Sequence, residues 1–167
     1  MVPGLLAFIQ FMFDHKQVDY QLYGGSKTKL GVTKLLGSVT DKVEEYMLDA
    51  LARHPEFNAP AKFEHLRELG EKIIGRGVKM GEGWLLPAEI AELAEKGYSN
   101  VVCAQPFGCL PNHIVAKGTI RTLRNMYPDA NITPIDYDAG ASKVNQENRI
   151  KLMLALAKEK ENEKNRT

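Results

Sequence analysis

The chain is short of cysteine, of charge imbalance and of long apolar runs, and each shortage removes a class of function. Two cysteines, Cys103 and Cys109, among 167 residues cannot make the disulfide framework of a small secreted scaffold. A reducing cytoplasm is the expected compartment. Lys and Arg number 22 against 21 Asp and Glu, a formal net charge of +1. No global attraction for nucleic acid or for an anionic membrane follows from that balance, and neither is expected as a partner. The apolar stretch 2–13 is interrupted by Gln10 and is too short to span a bilayer. It also lacks the basic region and small-residue cleavage site of a signal peptide. It reads as a buried element, and its place at the first residue suggests a chain cut from a longer protein.

What is present divides unequally. Residues 1–76 carry the weaker pattern. Over 39–53, Val43, Met47, Leu48 and Leu51 recur at helical spacing, with Thr40 as a candidate cap and His54-Pro55 as the stop. A second helix is expected after Pro60, with Phe63, Leu66 and Leu69 on one face and Gly70 or Gly75 near its end. Tyr23-Gly24-Gly25-Ser26 reads as a loop. From Gly77 onward strands and helices alternate: helix over 86–95, a short apolar strand over 100–104, helix over 111–127, a strand over 131–136 and helix over 143–157. That alternation predicts an α/β domain with a parallel sheet and right-handed crossovers. The tail 158–167 is a run of charged and polar residues and reads as a frayed helix end.

In an open parallel sheet, ligands gather beyond the carboxyl ends of the strands. Two such exits can be placed, Cys103 to His113 and Asp136 to Ser142. In the first, Cys109 precedes a helix start, a position that favours thiolate, the ligand form for soft metals and iron–sulfur clusters. Taken alone, the residues leave open whether Cys109 is a ligand or a small loop residue. Cys103 sits inside the strand and reads as core. Cys103, Cys109 and His113 offer three ligands at most, whereas a closed zinc site needs four, so His113 is expected to line the site or to bond near the helix start. Gly81-Glu82-Gly83 is neither a phosphate loop nor a full dinucleotide fingerprint. It is either a weak anion-binding signal or a tight turn that packs Trp84 against the sheet. Arg149 is expected to pair with Asp136 or Asp138, or else to reach the site together with Gln146.

Four strings, in order, carry a resemblance: Gly-Glu-Gly-Trp-Leu-Leu at 81–86, Gln-Pro-Phe-Gly-Cys-Leu-Pro-Asn-His at 105–113, Ile-Asp-Tyr-Asp at 135–138 and Asn-Gln-Glu-Asn-Arg-Ile-Lys-Leu-Met at 145–153. Together, over 77–157, they resemble the C-terminal region of large CoA-substrate-specific enzyme activase proteins, which is similar to 2-hydroxyacyl-CoA dehydratase subunits. The resemblance implies a Rossmann-like parallel sheet flanked by helices at 77–157, a mostly helical segment at 1–76 continuing from an upstream domain, and a charged tail. It also implies a [4Fe–4S] cluster held by three cysteines and charged by an ATPase activator. In such systems one electron reduces an acyl-CoA thioester to a ketyl radical that loses its hydroxyl group, a reaction of anaerobic metabolism.

Cys109 matches the place of the last cysteine ligand, and Gln105, Asn112 and His113 are then expected to tune the cluster by hydrogen bonds. The departures set limits. With two cysteines and no phosphate loop, the chain can be neither a complete dehydratase nor a complete activase, and it is not expected to act alone. Asn145 and Asn148 replace the Gly and Thr of the dehydratase segment that Gln146 and Arg149 resemble. The partners expected are other dehydratase-like domains or subunits, the ATPase activator and, indirectly, acyl-CoA. Two further readings stand beside the redox module: a non-catalytic docking domain of the same family, and a thiol enzyme with Cys109 as nucleophile and His113 as base, for which the sequence shows no acidic orienting residue.

Overall fold

A computed structural model of the chain describes residues 1–137 and 139–165. Its elements, in order, are α1 (Leu5–Tyr23), α2 (Lys27–Leu51), α3 (Phe63–Ile73), α4 (Leu85–Glu95), β1 (Asn100–Gln105), a π-helical turn (Pro111–Ala116), α5 (Lys117–Met126), β2 (Asn131–Asp136) and α6 (Lys143–Lys164). The chain divides into two compact units, Met1–Glu89 and Ile90–Thr167, with the division inside α4. Among the described residues no helix is long and apolar enough to cross a membrane.

The first unit is helical. Its core is an aromatic cluster around Trp84, which is wholly buried. Phe11 of α1 meets the indole edge-on at 5.3 Å between ring centroids, and Phe63 of α3 lies 5.9 Å away. The indole rests on Gly70, where a methyl group would collide with its ring. α3 is where pattern and packing agree, since Phe63, Leu66, Leu69 and Gly70 are all buried. Its first turn is capped from a distance, by Glu44 of α2 accepting from Phe63 N–H at 2.7 Å.

Several expectations change here. The helix expected over 39–53 begins twelve residues earlier, at Lys27, because Ser26 caps it by accepting from Lys29 N–H. Thr40 caps nothing; it lies in mid-helix and donates back to the Gly37 carbonyl at 2.7 Å. The 2–13 stretch is only partly buried: Phe11 is covered, but Val2, Leu5 and Met12 are exposed. Within its unit Trp84 packs among helices, against Phe11, Phe63 and Gly70. Its preceding turn is tight because Gly83, at φ +45°, lies so close to the Val78 carbonyl that a Cβ there would overlap it. The same carbonyl accepts from Trp84 N–H at 2.9 Å.

The second unit is mixed. β1 and β2 form a two-stranded parallel sheet in the register Asn100↔Asn131 through Gln105↔Asp136. Val101, Cys103 and Gln105 alternate inward along β1. The sequence expects one continuous α-helix over 111–127, but its first six residues form a wider π turn in which Lys117 N–H reaches the Asn112 carbonyl. α6 is longer than the 143–157 expected and reaches Lys164 through the charged tail.

Candidate functional site

The side chains predicted at the first strand exit do come together. Asn112, on the π turn and nearly buried, lies between the two thiols. Its Nδ2 donates to Cys109 Sγ at 3.1 Å, and its Oδ1 accepts from Cys103 Sγ at 3.7 Å. The donor and acceptor of one amide thus assign different parts to the two sulfurs. Cys103 is buried in β1, burial pushes its thiol pKa up, and the Lys117 charge opposes that only in part. Cys109 is half-buried at the end of the loop. Among the described residues no three His, Cys, Asp or Glu side chains converge as a metal site would require.

His113 is held at both ring nitrogens' sides. Nδ1 donates to the Cys109 carbonyl at 3.1 Å, Nε2 stands 3.8 Å from Asp136 Oδ1, and Phe107 meets the ring edge-on at 6.0 Å. Asp136 is the acidic neighbour that the sequence reading did not supply. It became visible only through the register, which places the end of β2 beside the end of β1. Its Oδ1 accepts from Gln105 Nε2 at 2.5 Å, and Lys117 Nζ stands 3.7 Å away. The Gln105 bond foremost, then the charges of Lys117, His113 and Arg149, hold its carboxyl below the ordinary value. Lys117 is a second residue that sequence reasoning missed, since nothing in its local pattern marks it.

Gln105 is almost fully buried, and its Oε1 has no partner among the described residues. His113 points its donor at the Cys109 carbonyl and not at the sulfur. The thiol-enzyme geometry, with His113 as base to Cys109, is therefore not the arrangement present.

At the second exit, Asp138 lies outside the described residues, and with it the expected Arg149–Asp138 pair. Arg149 acts on Asp136, its other expected partner, through its charge, and donates to the Pro134 carbonyl at 3.4 Å, while Gln146 donates to the Asp136 carbonyl at 2.9 Å and Arg124 to the Ile132 carbonyl at 3.1 Å. These three carbonyls lie on the edge of β2 away from β1, because Asn131 and Tyr137 N–H point inward to Ser99 and Gln105. Pro134 offers no N–H on that edge, so β2 is closed to further pairing along much of its length. Beyond the strand ends lies a cavity of about 790 Å³, lined by Phe107, Asp136, Ser142, Asn145, Gln146 and Arg149 among others. Polar side chains over an apolar floor of Ile135 and Leu152 suit a small polar molecule.

The donor set fits one ligand of a cluster and not a whole ligand set. Cys109 is accessible and already accepts a hydrogen bond at sulfur, as ligating thiolates do. Cys103 is packed into the strand as a donor. Compared with family models, with curated proteins and with solved structures, the chain matches none.

Proposed function

We propose that this chain is a redox module of a dehydratase/activase-type system, a Rossmann-like piece that contributes Cys109 to an iron–sulfur cluster shared with other domains or subunits. The observation that carries this reading is the sulfur environment: a half-buried Cys109 at a strand exit, with Asn112 Nδ2 at 3.1 Å from its Sγ. A [4Fe–4S] cluster, when bound, supplies one-electron chemistry at low potential. The residues of this chain position it. Asn112 fixes Cys109 Sγ by its amide, and His113 fixes the Cys109 carbonyl and so the loop. Gln105 and Lys117 hold Asp136 ionised beside them. An ATPase activator would deliver the electron, and acyl-CoA would be met through the partner domains.

The test is anaerobic reconstitution with iron and sulfide, the chain being assembled with its dehydratase-like partner, followed by optical and EPR spectra. A cluster lost in Cys109→Ser and kept in Cys103→Ser is the result expected. A cluster that ignores Cys109→Ser overturns the ligand role.

One observation favours docking as a second reading. Phe107 is 78% exposed, and Leu110 and Ile114 close to it are exposed as well, an apolar tip suited to a partner surface. On that reading Phe107→Ser abolishes assembly with the partner, whereas Cys109→Ser leaves it intact.

A further inference from the structure

α2 carries an apolar stripe that nothing in its own unit covers. Val32, Leu36, Val39, Val43 and Tyr46 follow one another at spacings of four, three, four and three residues, the a/d pattern of a coiled-coil seam. Every one of them is between 42% and 75% exposed, and Leu35 beside them is 65% exposed. The face of α2 that meets α1 is a different one: Gly37 lies against Phe13 and Gln17, and Asp41 accepts from Gln10. The stripe lies on the opposite side of α2 from that face and is turned out to solvent. Together the six side chains leave on the order of 600 Å² uncovered, at the upper end of what a monomer tolerates and near the about 800 Å² per partner of a standard interface.

The spacing requires a helix as occupant, because only a second helix inserts side chains at that period. The charges of α2 select which helix. Its first half carries Lys27, Lys29 and Lys34 and no acid, while its second half carries Asp41, Glu44, Glu45 and Asp49 against Lys42 alone. An antiparallel copy of α2 centred on Val39 draws Lys29 level with Asp49. It also opposes the two helix dipoles. The same register brings Val32 level with Tyr46, Leu35 level with Val43 and Val39 onto itself. We infer that α2 is a homodimerisation helix, whose stripe packs antiparallel against α2 of a second copy of this chain. Each α1 then packs on the far side of its own α2, away from the α2–α2 seam. This inference stands apart from the reading of the thiol loop.

The experiment is sedimentation equilibrium of the full chain across micromolar concentrations, with Val39→Glu beside the wild type. The wild type is expected to dimerise, and Val39→Glu to weaken association by about tenfold or more. Emission from the buried Trp84 must be unchanged in the variant, which keeps loss of fold distinct from loss of the interface. Orientation is read by cysteine pairing in a Cys103→Ser, Cys109→Ser background, with oxidised glutathione as the oxidant. Val32→Cys mixed with Tyr46→Cys should cross-link, and Val32→Cys alone should not. A monomer, a dimer that Val39→Glu leaves intact, or a Val32→Cys chain that cross-links only to itself overturns the proposal.

Discussion

The two units of this protein treat buried polar groups in opposite ways. In Met1–Glu89, Asp14 is enclosed near the aromatic core between two guanidiniums, Arg76 Nη1 at 2.9 Å and Arg67 Nε at 3.1 Å. Burial still outweighs both cations, so its carboxyl pKa is raised. In Ile90–Thr167, Asp136 stands at a strand end, partly open to water, and its pKa is lowered. One carboxylate is buried at a cost and held for architecture. The other is kept charged where a ligand or partner could meet it. Surroundings, not residue type, separate the structural acid from the candidate functional one.

The largest break in this contrast should come from the first unit's core. Trp84→Ala removes the side chain on which Phe11, Phe63 and Gly70 all converge, and should cost about 3–5 kcal/mol in chemical denaturation. Such a loss would leave little of an ordinary domain's stability. A cost near zero would show that the aromatic cluster does not hold the unit together.

The two carboxylates sharpen the contrast through pH, with opposite signs. Asp136 has a folded pKa below its ordinary value of 3.8, so its ionised form contributes stability above that range. The contribution is lost as pH falls through the ordinary value and below. Asp14 has a folded pKa above 3.8, so the native state binds its proton more tightly. Its contribution is present at low pH and is lost as pH rises through the raised value. Asp136→Asn should therefore flatten the loss of stability on acidification, and Asp14→Asn should steepen it. Denaturant midpoints from pH 3 to 7 measure both, and equal effects of one sign would refute the assignment. At pH 7, Asp14→Asn is expected to be neutral or mildly stabilising, because the desolvation it relieves outweighs the attraction of the two arginines.

The smallest loss of stability belongs to Asn112. Asn112→Ala removes both sulfur hydrogen bonds and should cost about 1 kcal/mol. It should also change the rate at which Cys109 reacts with iodoacetamide. Unchanged alkylation would mean that the amide does not govern the sulfur.

Much of the local order was legible because it is local. The sequence places α4 within a residue of its bounds and α3 between Pro60 and Gly75, since their apolar spacing and the glycines and prolines at their ends act over a few residues. β2 was placed at its full extent by a short apolar run between turn residues. The sequence reading of α2 is short because Gly31 and Gly37 are poor helix formers in its first half; a cap at Ser26 and the contact with α1 extend it. The π turn was not legible either, since an extra residue per turn leaves no mark in apolar spacing.

At the candidate site, the gathering of Gln105, Asn112, His113 and Cys109 followed from a strand exit running into a helix start. Asp136 did not follow, because its nearness to that loop is set by the pairing of strands about thirty residues apart in sequence, and Lys117 joins the site through that carboxylate.

The sequence by itself determined which segments fold as helix or strand in the second half, where the chain breaks between them, and that thiol, amide and imidazole groups share one loop. Those are consequences of side-chain period and of the fixed geometry of glycine and proline, which act between neighbours. Only the tertiary structure decided that Trp84 belongs to helices, that Asn112 divides the two sulfurs into donor and acceptor partners, that Asp136 completes the cluster and that the α2 stripe faces water. Each of these depends on groups distant in sequence meeting in space, where burial and hydrogen bonding, not periodicity, fix what a residue does.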